Sequence, residues 1–233
     1  MSNIVIPDGG NIGSASDPDA ISIASNGKLT FSQGIANTGT IDAGIIGDSV
    51  VVPGATQVLL HDQTITSSTQ YLDIEGKLSS TYLTYLLVGN AFQPVDDNKA
   101  IWLRFGSGSA GSVSWYTTGT YECHVMGNTS NSFTSLINIT SETKAVIAGF
   151  GNQGNQTNEH TSFSTWIWGS QGDGTASSFT SGSINASTID ASGSFFTCIG
   201  GFLVGSDTAF TSLRLQYSSG NISVGNVKLY GYK

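Results

Sequence analysis

The apolar residues of this chain come in short runs, each closed by turn formers before a helix could take hold. "TSLRLQY" is the clearest case. Leu213, Leu215 and Tyr217 fall on one side of a period-two repeat, with Ser212, Arg214 and Gln216 on the other. "AIWLRF" repeats the pattern, setting Ile101, Leu103 and Phe105 against Trp102 and Arg104. Such alternation suits a strand with one buried face, whereas a helix needs apolar positions three and four apart. "TQVLLHDQTI", "YLDIEG", "TYLTYLLVGNAF", "SLINIT", "KAVIAGF", "TSFSTWIWG", "FFTCIGGFLV" and "VKLYGYK" read as further strands. "SVSWYTTGTYECHVM" reads as a hairpin turning near Thr118-Gly119, and "SQGDGTASSFTSGSINASTIDASG" as a loop-rich stretch. No segment is a convincing amphipathic helix. About ten strands at short spacing predict an all-β, jelly-roll-like β-sandwich, with a meandering barrel as the alternative.

The text changes character near Val58. Ahead of it the apolar pulses are shorter: "IVI", "ISI", "LTF", "GII", "VVV". "ISIASNGKLTF" predicts a hairpin, with Ser25-Asn26-Gly27 supplying the turn. These pulses are too sparse for a private core. We therefore expect residues 1–56 to form an extended or hairpin assembly segment, and residues 57–233 to form the sandwich. Ile21, Ile23, Leu29, Phe31, Ile35, Ile41 and Ile45 are the residues expected to be buried against other copies of the chain, most simply in a homotrimer.

Composition narrows the partners. Only 10% of residues are charged and the net charge is −8, with eight Lys and Arg spread singly. No basic stripe exists for a phosphate backbone, so nucleic acid is not an expected partner. No apolar run reaches the roughly 18 residues of a membrane span, and the opening "MSNIVIPDGG" lacks the features of a signal peptide. Cys123 and Cys198 are expected to be buried thiols, a disulfide being possible but not implied. The sequons at Asn128, Asn138, Asn185 and Asn221 are expected chance matches in a chain so rich in Asn, Ser and Thr.

Few residues point to chemistry. Gly106-x-Gly108-x-x-Gly111 follows a strand, but a dinucleotide site needs a helix next, and "SVSWYTT" is another strand. The histidines, His61, His124 and His160, form no nucleophile or metal motif. Asp96, Asp97, Glu122 and Asp173 are the carboxylates weighed for glycoside hydrolysis, which needs two of them flanking a groove. The solvated-turn reading is preferred. No catalytic residue, metal ligand or cofactor is assigned. Aromatic residues are more informative, because sugar rings present apolar faces that stack on Trp and Tyr. On "TSFSTWIWG", Phe163 and Ile167 share one face while Trp166 and Trp168 share the other. If the first pair points inward, the tryptophans face solvent, a ligand or a neighbouring subunit. Trp115-Tyr116 poses the same question, because adjacent strand residues diverge. Trp115, Tyr116, Trp166, Trp168 and Asp173 are the candidate ligand-binding residues.

Two stretches carry a resemblance. "LRFGSGSAGSVSWYTTGTYE" at 103–122 and "FTSLRLQYSSGNISVGNVKLYGYK" at 210–233 resemble the C-terminal sandwich of tailed-bacteriophage tail-fibre or adhesin-like appendage proteins. The matching elements are Leu103-Arg104-Phe105, Tyr121, Ser219-Gly220-Asn221-Ile222, Gly225 and Leu229-Tyr230-Gly231, joined by "TYLTYLLVGNAFQP" at 81–94. The resemblance implies a virion structural protein. Its N-terminal segment would attach to tail, adaptor or capsid proteins, and its sandwich would be displayed toward a host-surface glycan. The alternatives are a capsid-surface decoration or head-fibre protein without a receptor role, and a polysaccharide-acting enzyme or carbohydrate-binding module. The segment ahead of the sandwich is short for a fibre shaft, which keeps the decoration alternative open.

Overall fold

The structure, a computed structural model, describes residues 11–14, 17–23, 25, 29–31, 57–129, 132–171 and 179–233. The chain divides into two compact units, Met1–Gly47 and Asp48–Lys233. In the first unit, β1 (Asn11–Ser14), β2 (Asp17–Ile23) and β3 (Leu29–Phe31) form an antiparallel sheet in that order. The expected hairpin is present as the β2–β3 pair, with Ile21 opposite Phe31 and Ile23 opposite Leu29. Ile35, Ile41 and Ile45 lie outside the described residues.

The second unit holds two antiparallel sheets. Its strands are β4 (Gln57–Ile65), β5 (Leu72–Ile74), β6 (Thr84–Pro94), β7 (Lys99–Ser109), β8 (Ser112–Trp115), β9 (Tyr121–Thr129), β10 (Ser132–Glu142), β11 (Ala145–Gln153), β12 (Thr161–Trp168), β13 (Thr180–Ile189), β14 (Phe195–Val204), β15 (Ser212–Tyr217) and β16 (Ile222–Tyr232). The eight-stranded sheet runs β10-β9-β14-β13-β12-β6-β16-β4, and the five-stranded sheet is β11-β7-β15-β5 with β8 added on β7. The all-β expectation holds, and the arrangement is that of a β-sandwich. Among the described residues no helix is long and apolar enough to cross a membrane.

Alternation places the core. On β7 Ile101, Leu103 and Phe105 are buried, and on β15 so are Leu213, Leu215 and Tyr217. From the eight-stranded sheet Tyr85, Leu87, Val125, Phe163, Ile167, Ile184, Phe202 and Leu229 meet them. Each such side chain contributes about 1.5–3 kcal/mol by leaving water. Phe105 and Phe202 join the sheets, their ring centroids 5.9 Å apart. Polar links fix the two layers relative to each other. The Phe105 N–H donates to the Tyr121 hydroxyl at 3.0 Å, and the Cys123 thiol donates to the Val146 carbonyl at 3.2 Å. Gln153 is 0% exposed. Its side-chain amide donates to the Phe92 carbonyl in one sheet, and its amide oxygen accepts from the Tyr217 hydroxyl in the other at 3.1 Å.

Two local expectations need correction. The hairpin expected at Thr118-Gly119 is not formed. β8 folds back on β7 instead, from Gly106 opposite Trp115 to Ser109 opposite Ser112. Gly108 and Gly111 take positive φ, 111° and 81°, which allows the tight reversal. Thr118-Gly119 therefore lies on the crossing from one sheet to the other. The second correction concerns the stretch expected to be loop-rich. It contains β13, a ten-residue strand inside the larger sheet. Gly182, Ile184, Ala186 and Thr188 face inward, and Ser181, Ser183, Asn185 and Ser187 face outward. Because both faces carry small residues, the alternation is weak in the sequence although the strand is central.

Candidate functional site

The outer face of the eight-stranded sheet is built from registered rows. One row runs His124, Gly201, Ser183, Trp166, Leu86, Tyr230. The next runs Met126, Ile199, Asn185, Ser164, Val88, Lys228. Side chains are tall at the left of these rows, short in the middle and tall again at Trp166. The result is a trough of about 570 Å³. Ser164, Ser183 and Asn185 form its floor, Trp166 one wall, and His124, Met126 and Ile199 the other. From β9 to β12 is three strand spacings, about 14 Å, or two sugar rings side by side. A shallower depression of about 310 Å³ continues from Ser164 and Asn185 over Ser162, Ser187 and Asn90.

The walls are unusually apolar for a solvent-facing surface. Met126 and Ile199 are 52% and 56% exposed, and beyond the wall Trp168, two residues along from Trp166, is 40% exposed. Trp166 is half-buried and leans on Tyr232, their ring centroids 5.1 Å apart. Among the described residues the trough lining contains no Asp, Glu, Lys or Arg. Chemically, such a surface offers an indole face, hydroxyl and amide donors and acceptors, and a methyl-rich wall. It offers no strong acid or base.

The sequence-predicted residues are distributed as follows. Phe163 and Ile167 are buried, so Trp166 and Trp168 do face outward, as the alternation required. Trp115 and Tyr116 belong to the other sheet's margin, and they diverge. Trp115 lies 4.2 Å from the Arg214 guanidinium, whose other face meets Tyr71 at 4.0 Å. Tyr116 turns inward against Phe210 and Tyr121, at 5.4 and 6.1 Å. The structure therefore brings together Trp166 and Trp168 but not Trp115 and Tyr116. Asp173 lies outside the described residues. His124, Met126, Ser164, Ser183, Asn185 and Ile199 were not singled out as ligand-binding residues from the sequence. The signal that could have found them is the run Ser181, Ser183, Asn185, Ser187 at period two, opposite the alternating Trp166 and Trp168.

Glu122 is far from the adjacent pair Asp96 and Asp97. Glu122 sits on β9 in the row of Leu203, Ser181, Trp168 and Thr84, at the start of β6. Asp96 and Asp97 lie just beyond Pro94 at the other end of β6. The strand length between these levels is roughly 30 Å, against the 5–10 Å needed to flank one glycosidic bond. Asp97 also caps the turn, accepting the Asn155 N–H at 2.8 Å. Among the described residues no group of three His, Cys, Asp or Glu could hold a metal ion.

The cysteines are both free and buried. Cys123 pairs in register with Phe202, four residues along β14 from Cys198. That is about 13 Å, too far for a disulfide. Burial pushes the Cys123 thiol up to about 11 and the Cys198 thiol to about 12, against a smaller opposing effect of their hydrogen bonds to backbone carbonyls. Thiols held neutral in this way are structural residues rather than nucleophiles. No family model matches the chain, and comparison with curated proteins and with solved structures returns no match.

Proposed function

We propose that this chain is a non-enzymatic binding protein whose sandwich holds a neutral cell-surface glycan in the trough beside Trp166. The observation that carries the proposal is the trough itself. One indole wall stands over a floor of Ser164, Ser183 and Asn185, in a volume of about 570 Å³ that suits a small ligand. Sugar C–H faces pack on the indole, sugar hydroxyls exchange hydrogen bonds with the floor, and Met126 and Ile199 receive a methyl substituent such as an N-acetyl group. Joined to the resemblance, this makes the chain a bacteriophage virion structural protein of the tail-fibre or spike kind. It would act as a homotrimer attached to the particle through residues 1–56, at the sheet of β1, β2 and β3.

The test has two arms. Binding of the full-length chain to host surface polysaccharide is expected to be saturable and to fall tenfold or more in Trp166→Ala. Equal binding by that variant would remove the trough from the account. Immunogold labelling is expected on the tail appendage. Labelling confined to the capsid shell would convert the proposal to the decoration alternative. New reducing ends on incubation with the polysaccharide would revive the enzyme alternative.

A further inference from the structure

The sequence contains two arginines, and the fold sets them side by side. On the outer face of the five-stranded sheet, Arg214 of β15 pairs in register with Asp73 of β5 on one side and Arg104 of β7 on the other. Like charges directly opposite on antiparallel strands repel. Asp73 answers only one of them, accepting from Arg214 Nε and Nη2 at 2.6 Å each. Arg104 meets neutral oxygens: its Nε donates to the Thr143 carbonyl at 3.2 Å, and its Nη1 to Gln216 Oε1 at 3.2 Å. Among the described residues it has no carboxylate partner. Lys144 stands next to it, paired with Glu142. Glu75, two residues along from Asp73, accepts the Gly111 N–H at 2.6 Å, so of the cations here Arg104 is the one left without a carboxylate among the described residues.

Two indoles flank the pair. Trp115 lies over Gly106, where a Cβ would come within 2.9 Å of its ring, and it stacks on Arg214. Trp102 is opposite Gln216, with the Lys144 ammonium 4.7 Å from its ring centroid. Both tryptophans are half-buried, so each keeps part of its ring accessible. We propose that Arg104 and Arg214, flanked by Trp102 and Trp115, form a binding site for a carboxylate-bearing saccharide unit. Arg104 is a single guanidinium bonded only to neutral oxygens, which matches a monoanionic carboxylate better than a dianionic phosphate. The guanidinium of Arg104 is planar and forked, as carboxylate recognition requires. The indoles receive the sugar ring attached to that carboxylate. This site is independent of the neutral trough on the opposite sheet, and either can fail without the other.

The experiment is a titration of the full-length chain with sodium glucuronate, followed on the indole N–H resonances. Saturable shifts are expected at Trp102 and Trp115, with glucose giving none and sodium acetate binding at least several-fold more weakly. Arg104→Gln leaves the Arg214–Asp73 pair in place and is expected to weaken glucuronate binding about tenfold or more. Arg104→Lys keeps the charge but not the fork, and serves if the first variant does not fold; it is expected to bind several-fold more weakly. Unmoved Trp102 and Trp115 resonances, affinity unchanged in Arg104→Gln or Arg104→Lys, or acetate or inorganic phosphate binding as tightly as glucuronate would each overturn the proposal.

Discussion

The two outer faces of the sandwich are made by the same alternation and end as opposites. On the five-stranded sheet the outward positions carry Arg104, Arg214, Trp102, Asp73 and Gln216. These long side chains fold onto one another, leaving Arg214 stacked between Tyr71 and Trp115. On the eight-stranded sheet the outward positions of β12 and β13 are, apart from Trp166 and Trp168, the short side chains Ser162, Ser164, Ser181, Ser183, Asn185 and Ser187, which leave the surface between the taller ones uncovered. The first face packs its long side chains into cation–aromatic contacts that leave only part of each indole accessible, and the second leaves a trough between tall rims. Side-chain length at outward positions, not strand geometry, decides which face is open.

The largest effect should come from the element both faces depend on. Gln153→Ala removes the amide that ties β6 to β15 and leaves the Phe92 carbonyl and Tyr217 hydroxyl short of a buried partner. It is expected to lower stability by about 3 kcal/mol in denaturant unfolding, and a change under about 1 kcal/mol would show that the sheets are held by apolar packing alone. Alkaline pH comes next and probes the trough side, since Cys123 and Cys198 lie on β9 and β14. Their folded pKa values, about 11 and about 12, stand above the unfolded value near 9. Their contribution is therefore complete below pH 9 and is lost as pH rises toward 11 and 12. We expect a loss of about 2 kcal/mol between pH 8 and 10, and a shallower loss in the Cys123→Ala, Cys198→Ala double variant.

Smaller effects separate the faces directly. Arg214→Ala leaves Asp73 without its bidentate partner and separates Tyr71 from Trp115; unfolding should show a loss of about 1.5 kcal/mol. Trp166→Ala strips only a half-buried ring leaning on Tyr232, so its stability cost should be under about 1 kcal/mol, while glycan binding drops at least tenfold. If instead Trp166→Ala destabilises more than Arg214→Ala, the contrast between a filled face and an open one is wrong.

Much of the fold was legible because its strongest strands bury bulky residues on one side. "AIWLRF" and "TSLRLQY" declared both their strands and their inward faces. "TSFSTWIWG" declared that Phe163 and Ile167 share one face and Trp166 and Trp168 the other, and left open which of the two is buried. β13 was not legible, because Ser, Gly and Ala on both faces give little contrast in hydropathy. The trough floor was lost with it, since two of its three residues, Ser183 and Asn185, are on β13. The setting of Trp115 was not legible, because its neighbour Arg214 lies a hundred residues away in the sequence and is brought to it only by the β7–β8 reversal and the β7–β15 pairing. The carboxylate question was closed to sequence for the same reason: only register puts Glu122 and Asp96 at opposite ends of the sheet.

A neutral glycan held on the eight-stranded face would be read most directly from the tryptophans. The chain has four tryptophans, two on each outer side, so their indole N–H resonances report the faces separately. Titrating the full-length protein with neutral oligosaccharides prepared from host surface polysaccharide should shift Trp166 and Trp168 saturably and leave Trp102 and Trp115 in place. Ser183→Phe, which fills the trough from its floor, should abolish the shifts while the rest of the spectrum stays folded. Shifts confined to Trp102 and Trp115, or no indole shift at concentrations that saturate binding, would contradict the account.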